Sequence, residues 1–188
     1  MNETLRNIAE RYSCRDFAKT PLTDGQIEAI TNAALAAPSA MNIQPWHLII
    51  IKDKALIDEL DADGMGILAA QEDKAAYERF MGRGGKLFYN APFMMLILSD
   101  GSKWGTLDSG ILCQNVVLAA QSLGLASCIV GMAGIPLDGP RKEEYAKRLG
   151  FPEGYGFSVG VIIGSLGANG KKDPHELDRN KATTVGNS

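Results

Sequence analysis

The stretch Asp108–Gly134, DSGILCQNVVLAAQSLGLASCIVGMAG, decides how the chain folds. Its first half predicts a helix from Thr106 to Leu123, ended by Gly124 in the left-handed conformation that glycine adopts at little cost. Ile111, Leu112, Val116, Val117, Leu118, Ala119, Ala120 and Leu123 form no single stripe but cover most of the helix circumference. A helix apolar nearly all round is buried on nearly all sides. One core covers one side of it, so the spare apolar face points to a second subunit. Gln114 and Asn115 lie within this run and need hydrogen-bond partners, most simply neighbouring backbone. Ala126–Val130 then reads as a buried strand, and Gly131–Gly134 as a loop at its end offering exposed backbone N–H groups.

Composition sets the class. The chain has 188 residues, 45% hydrophobic and 22% charged, which is the make-up of one globular domain with a real core. A formal net charge of −3 leaves no basic footprint for nucleic acid or an anionic membrane surface. The opening MNETLRNIAERY is polar and is not read as a signal peptide, and apolar runs such as Ala91–Leu98 fall far short of the about 18 residues of a membrane span. The expected compartment is the cytoplasm. The three cysteines, Cys14, Cys113 and Cys128, are odd in number and include no C-x-x-C, which argues against a disulfide framework, a zinc site or an iron–sulfur cluster. Cys113 and Cys128 read as core fillers. Cys14 sits in a polar, basic setting where a thiol could react, without a nearby histidine.

Upstream, Glu3–Arg11 predicts a short helix with Leu5 and Ile8 inward. Arg11–Phe17, RYSCRDF, taken alone reads as a solvated loop. Thr23 and Gln26 form a T-x-x-Q capping box, with Leu22 and Ile27 spaced as a hydrophobic staple, for a helix that ends at Pro38. Pro38–Trp46, PSAMNIQPW, is a loop between two prolines. Trp46–Ile51 is a strand and Asp53–Leu60 a short helix. Residues 61–90 read poorly: Met65–Phe80 is compatible with a helix and Gly82–Gly85 with a flexible turn, in either a cover over a site or a surface excursion. Phe93–Leu98 and Phe157–Ile163 are strands, the latter apolar enough to be central. Pro140 opens a helix reaching Leu149, closed by Gly150. The polar tail 165–188 is either loose or wrapped over a partner subunit. Residues 1–188 form a single layered domain of strands and helices, with the sense of strand pairing undetermined by pattern.

The chain carries no H-E-x-x-H, G-x-S-x-G, Walker or G-x-G-x-x-G motif. Of its two histidines, His47 reads as a packed, hydrogen-bonded strand residue and His175 lies in the tail. If the chain is an enzyme, its difficult step belongs to a bound cofactor, with the protein supplying placement and charge. Arg11, Ser13 and Arg15 alternate, so an extended segment puts them on one side, where they can hold an anion such as phosphate. Lys171 and Lys172 could close over the same anion. Ser39, Asn42 and Gln44 offer donors and acceptors for the edge of a planar polar ring.

Four features, in this order and along nearly the whole chain, resemble the FMN-dependent nitroreductase family. They are R-x-S-x-R-x-F at Arg11–Phe17, P-S-x-x-N-x-Q-P-W at Pro38–Trp46, D-x-G-x-x-x-Q-N at Asp108–Asn115 followed by L-G-L, and a closing strand ending in Ile163-Gly164. The resemblance implies an α+β fold with a mainly antiparallel central sheet flanked by helices, and an intertwined homodimer with FMN at its interface. It implies that Arg11 and Ser13 hold the FMN phosphate and ribityl chain and that Arg15 lies near the pyrimidine edge. Pro38, Ser39 and Ala40, with Asn42 and Gln44, would reach FMN from the other subunit. Gly131 and Met132 would face the flavin N5 side. Lys171 and Lys172, or Arg179 as runner-up, would sit on the phosphate. Met41 departs from the family's small or hydroxyl-bearing residue and makes that face more apolar. The implied activity is ping-pong transfer from NADH or NADPH through FMN to a nitroaromatic, quinone or similar small-molecule acceptor, with no catalytic side chain and no metal. A flavin-storing protein without turnover, a relative with other FMN chemistry such as reductive dehalogenation or flavin fragmentation, and a cofactor-free dimer remain as alternatives.

Overall fold

The computed structural model describes residues 1–186; Asn187 and Ser188, the end of the tail 165–188, lie outside the described residues. The elements are α1 (Glu3–Glu10), α2 (Asp24–Leu35), β1 (Trp46–Ile51), α3 (Lys54–Ala70), α4 (Ala75–Met81) and β2 (Phe93–Ser99). They continue with α5 (Gly105–Ser122), β3 (Ala126–Val130), α6 (Gly134–Leu137), α7 (Lys142–Leu149) and β4 (Gly156–Gly164). The strands form one four-stranded sheet in the order β1-β2-β4-β3. Every pairing is antiparallel, which settles the sense that pattern left open and makes the fold α+β.

Strand β2 is apolar at nearly every position because both faces of the sheet are covered. Met94, Leu96 and Leu98 point into one core with Leu56, Ile57 and Leu60 of α3, Phe80 of α4 and Tyr145 of α7. Phe93, Met95 and Ile97 point into the other, against Ile27 and Ile30 of α2 and Leu112, Val116 and Val117 of α5. The central pair β2 and β4 thus lies between two helical layers, the arrangement that buries both faces of a sheet.

Local rules position the helices. In α2, Thr23 Oγ1 accepts from Gln26 N at 3.2 Å while Gln26 Oε1 accepts from Thr23 N at 2.9 Å, so the capping box forms in full. At the end of α5, Gly124 takes φ +72°, Gly124 N donates to Gln121 O at 3.0 Å and Leu125 N to Ala120 O at 2.9 Å. This is a Schellman closure, and it turns the chain directly into β3. Asn115, polar inside an apolar run, is satisfied by donating from Nδ2 to Ala33 O at 2.9 Å. Helix α3 extends well past the expected stop at Leu60. A Cβ on Gly64 would lie 2.4 Å from Leu87 Cδ1 and 3.2 Å from Pro136 Cδ, so this glycine serves close packing rather than a break. Pro140, expected in the first turn of α7, lies outside that helix, which starts at Lys142 with Arg141 as its N-cap, and the short α6 before it was unforeseen. The region read as one helix over Met65–Phe80 is interrupted between Ala70 and Ala75.

Three expectations fail in the packing. Leu5 and Ile8 do not point inward: they are 53% and 48% exposed, because α1 lies at the rim of the α2–α5 layer and nothing in this chain covers its outer side. His47 is exposed, with its ring edge-on to Tyr155 at 6.2 Å between centroids; it shares the face of Ile49 and Ile51 but lies near the start of the edge strand β1. Gly131–Gly134 is a tight helical turn feeding α6 rather than an open loop. Leu107 of α5 is also exposed. Among the described residues no helix is long and apolar enough to cross a membrane.

Because Gly124 holds a left-handed conformation, Gly124→Ala is expected to cost about 1 kcal/mol of stability. Urea unfolding should show a lower midpoint with an unchanged slope; an unshifted midpoint would mean the closure contributes nothing.

Candidate functional site

The segment after α1 is built on alternation. The chain leaves the helix at Arg11 in an extended conformation, and Cys14 N donates to Ser127 O of β3 at 2.9 Å. Ser13 makes a parallel bridge to Ser127, and Phe17 an antiparallel one to Leu166. Tyr12 and Cys14 are buried, which leaves Arg11, Ser13 and Arg15 on the outward side, and Phe17 is buried again beyond the alternation. The segment is therefore a short added strand and not a solvated loop. Cys14 is correspondingly not a reactive thiol. It is 1% exposed, its Sγ donates to Asp16 O at 3.0 Å, and burial pushes its pKa up.

The tail is drawn back over this strand by Asp16. Gly167 N donates to Asp16 O and Asn169 N to Asp16 Oδ2, each at 2.9 Å. A Cβ on Gly167 would lie 2.3 Å from Asp16 Oδ2, so this approach requires glycine. The result is a cleft of about 270 Å³ lined by Ser13, Arg15, Asp16, Asn169, Lys171 and Asp173. Lys171 faces the Ser13–Arg15 edge as the sequence implied. Lys172 and Arg179 do not line this cleft, although Asp173 does.

Arg15 also lines a second cleft, of about 210 Å³, with Arg79, Arg83, Tyr89, Gly131 and Met132. Gly131 begins the turn that follows β3, and space around its Cβ position is open. The first N–H groups of such a turn have no acceptor within it. Arg79, Arg83 and Tyr89 come from the stretch 61–90 and were not anticipated. Their only sequence signal is the four-residue spacing of Arg79 and Arg83 around Phe80, the apolar anchor of α4. Arg11 lines neither cleft; its charge opposes, in small part, the rise that burial imposes on the Cys113 and Cys128 thiols, the former pushed up to about 12.

Pro38, Ser39, Ala40, Asn42 and Gln44 are not brought to either cleft of this chain. Their loop is held locally instead. Ala40 N donates to Oδ2 of the buried Asp108 at 3.3 Å, Gln44 N to Ser39 Oγ at 2.9 Å, and Gln44 Nε2 to Asn42 Oδ1 at 3.0 Å. Met41, Asn42 and Gln44 all have positive φ, at 52°, 56° and 53°. Strain of this kind, of order 1 kcal/mol or more per residue, collects where a ligand or partner is gripped. Met41 projects from the loop, 86% exposed.

The structure thus combines an antiparallel α+β sheet, an outward arginine–serine–arginine edge and a loop with three non-glycine residues at positive φ. The chain belongs to the nitroreductase family, whose match spans residues 8–165. It is similar to a nitroreductase with bound FMN from Desulfitobacterium hafniense DCB-2, at 48% identity and a TM-score of 0.94, covering 99% of this chain and 100% of that one. A nitroreductase with bound FMN from Bacteroides fragilis NCTC 9343 is 27% identical with a TM-score of 0.88, again over 99% and 100%. The NADPH-flavin oxidoreductase of Vibrio harveyi is 30% identical over 174 residues, 93% of this chain and 70% of that protein.

All three cysteines are free and buried, with thiols whose pKa is raised by desolvation. Iodoacetamide at pH 8 is expected to leave them unmodified in the native protein and to alkylate all of them in urea. Native labelling of Cys14 would show that the added strand is not held as described.

Proposed function

We propose that the chain is an FMN-dependent oxidoreductase of nitroreductase type that uses NADH or NADPH as reductant. The observation that carries this reading is the shared position of Arg15. On one side it meets a cleft with hydroxyl and ammonium donors suited to a phosphate, on the other a cleft ending at the Gly131–Met132 turn. The donor set fits FMN. Ser13 and Lys171 would hold the phosphate and ribityl end, with Arg11 placed beside them by the family pattern because it shares the outward side of Ser13. Arg11, like Lys172 and Arg179, does not line the cleft, although Asp173 does. Asp16 also borders the cleft, but it accepts from Asn169 N and so serves to fix the tail.

Bound FMN would supply two-electron transfer, taken from NADH or NADPH and passed, in a separate ping-pong step, to a nitroaromatic, quinone or similar small-molecule acceptor. The protein's part is binding and charge. Arg15 would stand as a fixed cation at the pyrimidine edge, where negative charge develops on reduction. Gly131 and Met132 would present backbone to the N5 side without a side chain in the way. No side chain is assigned as nucleophile or general base.

The site would be completed by a second copy of the chain. Pro38, Ser39, Ala40, Asn42 and Gln44 would reach FMN from the partner, which is consistent with a strained loop that touches neither cleft of its own chain. Leu5, Ile8, Leu35 and Leu107 are exposed apolar residues on α1, α2 and α5, and a groove of about 300 Å³ among the same helices is lined by Thr4, Asn7, Ala33, Asn115, Leu118 and Ala119. These surfaces would be covered in a homodimer. The part of the tail after Pro174, which carries Leu177 and the 94% exposed Val185, would lie over the partner. Three free, buried cysteines fit a reducing, cytoplasmic setting.

The test is the visible spectrum of the purified protein after FMN is added and the excess removed, followed anaerobically by NADH and NADPH. Retained flavin that bleaches quickly supports the reading; retained flavin that neither nucleotide bleaches favours a storage role, and no retained flavin contradicts both. Arg11→Ala is expected to weaken FMN binding by about 1.5–3 kcal/mol, the range for a hydrogen bond to a charged group. Unchanged affinity would remove Arg11 from the site. Arg15→Ala is expected to lower the midpoint potential of bound flavin, and an unaltered potential would deny Arg15 its place at the pyrimidine edge.

A further inference from the structure

Helix α4 brings a pair of cations to the second cleft. Phe80 is buried and fastens α4 to the core, and Arg83 N donates to Phe80 O at 2.9 Å, which carries the coil one turn past the helix end. Residues four apart on such a coil share a face, so Arg79 and Arg83 stand together where the cleft meets Tyr89, Gly131 and Met132. Arg15 adds a third guanidinium to the same wall.

These charges are not neutralised within the chain. Among the described residues, the cations in ion pairs are Lys52, Lys54, Arg141 and Arg148. Arg79, Arg83 and Arg15 form no ion pair among the described residues, although Asp16 and Asp173 line the other cleft beside Arg15 and the chain as a whole carries a net charge of −3. Converging cations on a concave surface repel one another, and a bound anion relieves that repulsion. The planar guanidinium fork matches an oxyanion bidentately. The phosphate-sized cleft of Ser13 and Lys171 lies on the other side of Arg15, so the FMN phosphate already has a separate place in the reading above.

We infer that Arg79 and Arg83 form a second anion subsite, one that selects a reactant bearing an oxyanion at the open side of the flavin. The inference rests on the FMN reading. The shared chemistry is a carboxylate or phosphate attached to a planar reactant: a carboxylated acceptor, or the 2′-phosphate that distinguishes NADPH from NADH. Arg15, fixed by the added strand, would neutralise charge on the flavin ring, while the two arginines of α4 act on the molecule that stacks against it.

The FMN-loaded wild type and the double variant Arg79→Gln/Arg83→Gln decide the matter. kcat/KM is measured for 4-nitrobenzoate against methyl 4-nitrobenzoate, and for NADPH against NADH. Each ratio is formed within one protein, so a general loss of activity divides out. The wild type should prefer the anionic member of at least one pair, and that ratio should fall about tenfold in the variant, the summed effect of two partly exposed ion pairs. The same preference should fade in the wild type as salt is raised. A fall in the acceptor pair assigns the subsite to a carboxylate, and a fall in the nucleotide pair to the 2′-phosphate. Calorimetry of 4-nitrobenzoate and 2′,5′-ADP binding reads the same contrast without turnover. Ratios and binding unchanged in the variant would overturn the inference. So would a variant that fails to retain FMN, since the arginines would then belong to the flavin's own site. A wild type that retains no FMN would instead count against the FMN reading, and the calorimetry would still decide the arginines.

Discussion

The candidate site depends on one backbone contact, the pairing of the segment after α1 with β3 through the Cys14 N–H and the Ser127 carbonyl. Strand alternation does the rest. With Tyr12 and Cys14 buried, Arg11, Ser13 and Arg15 take the opposite side, and the alternation ends before Phe17, which is buried again. The contact also fixes Asp16, whose backbone and carboxylate together bring Gly167–Asn169 back across the edge. Lys171 reaches the cleft as a consequence. A one-residue slip in this pairing would bury two arginines and expose Tyr12 and Cys14, and the same apolar burial that stabilises the segment forbids it.

A second constraint acts at the opposite end of α5. Asp108 lies in the first turn of that helix, where a carboxylate is favoured by the unpaired N–H groups, and it accepts from Ala40 N. The loop so anchored holds three non-glycine residues at positive φ and projects Met41 away from its own chain. Strain without a local ligand makes physical sense when the loop's function lies on another molecule. In the proposed dimer, α5 therefore has three tasks: one face seals the core, its first turn aims the loop, and its exposed side meets the partner.

Local chemistry was legible in the sequence and distant packing was not. Thr23 with Gln26, and Gly124 after Leu123, are read within a few residues, and both form as expected. The outward set Arg11, Ser13 and Arg15 follows from alternation once the segment is extended, but the partner strand that extends it lies more than a hundred residues away. The antiparallel sense of the sheet has the same non-local origin. Gly64 illustrates a harder case: its role is defined by Leu87 and Pro136, which no periodicity connects to it. Arg79 and Arg83 fall in the stretch 61–90 that no pattern resolves, and their place in one cleft with Arg15 depends on where Phe80 docks. Leu5 and Ile8 are expected inward from their helical spacing but stand about half exposed, since no other surface of the described chain covers them.

A mixed dimer tests most directly whether each site is built from two chains. One chain would carry Arg11→Ala and Ser13→Ala, and the other Asn42→Ala and Gln44→Ala, with distinct affinity tags so that the mixed species can be isolated. Each variant alone should bind FMN weakly at both of its sites. In the mixed species one site would inherit both defects and the other neither, so it should bind one FMN per dimer with wild-type affinity. Weak binding at both sites of the mixed dimer, no better than in the parent variants, would show that the 38–44 loop acts within its own chain and would contradict the shared site.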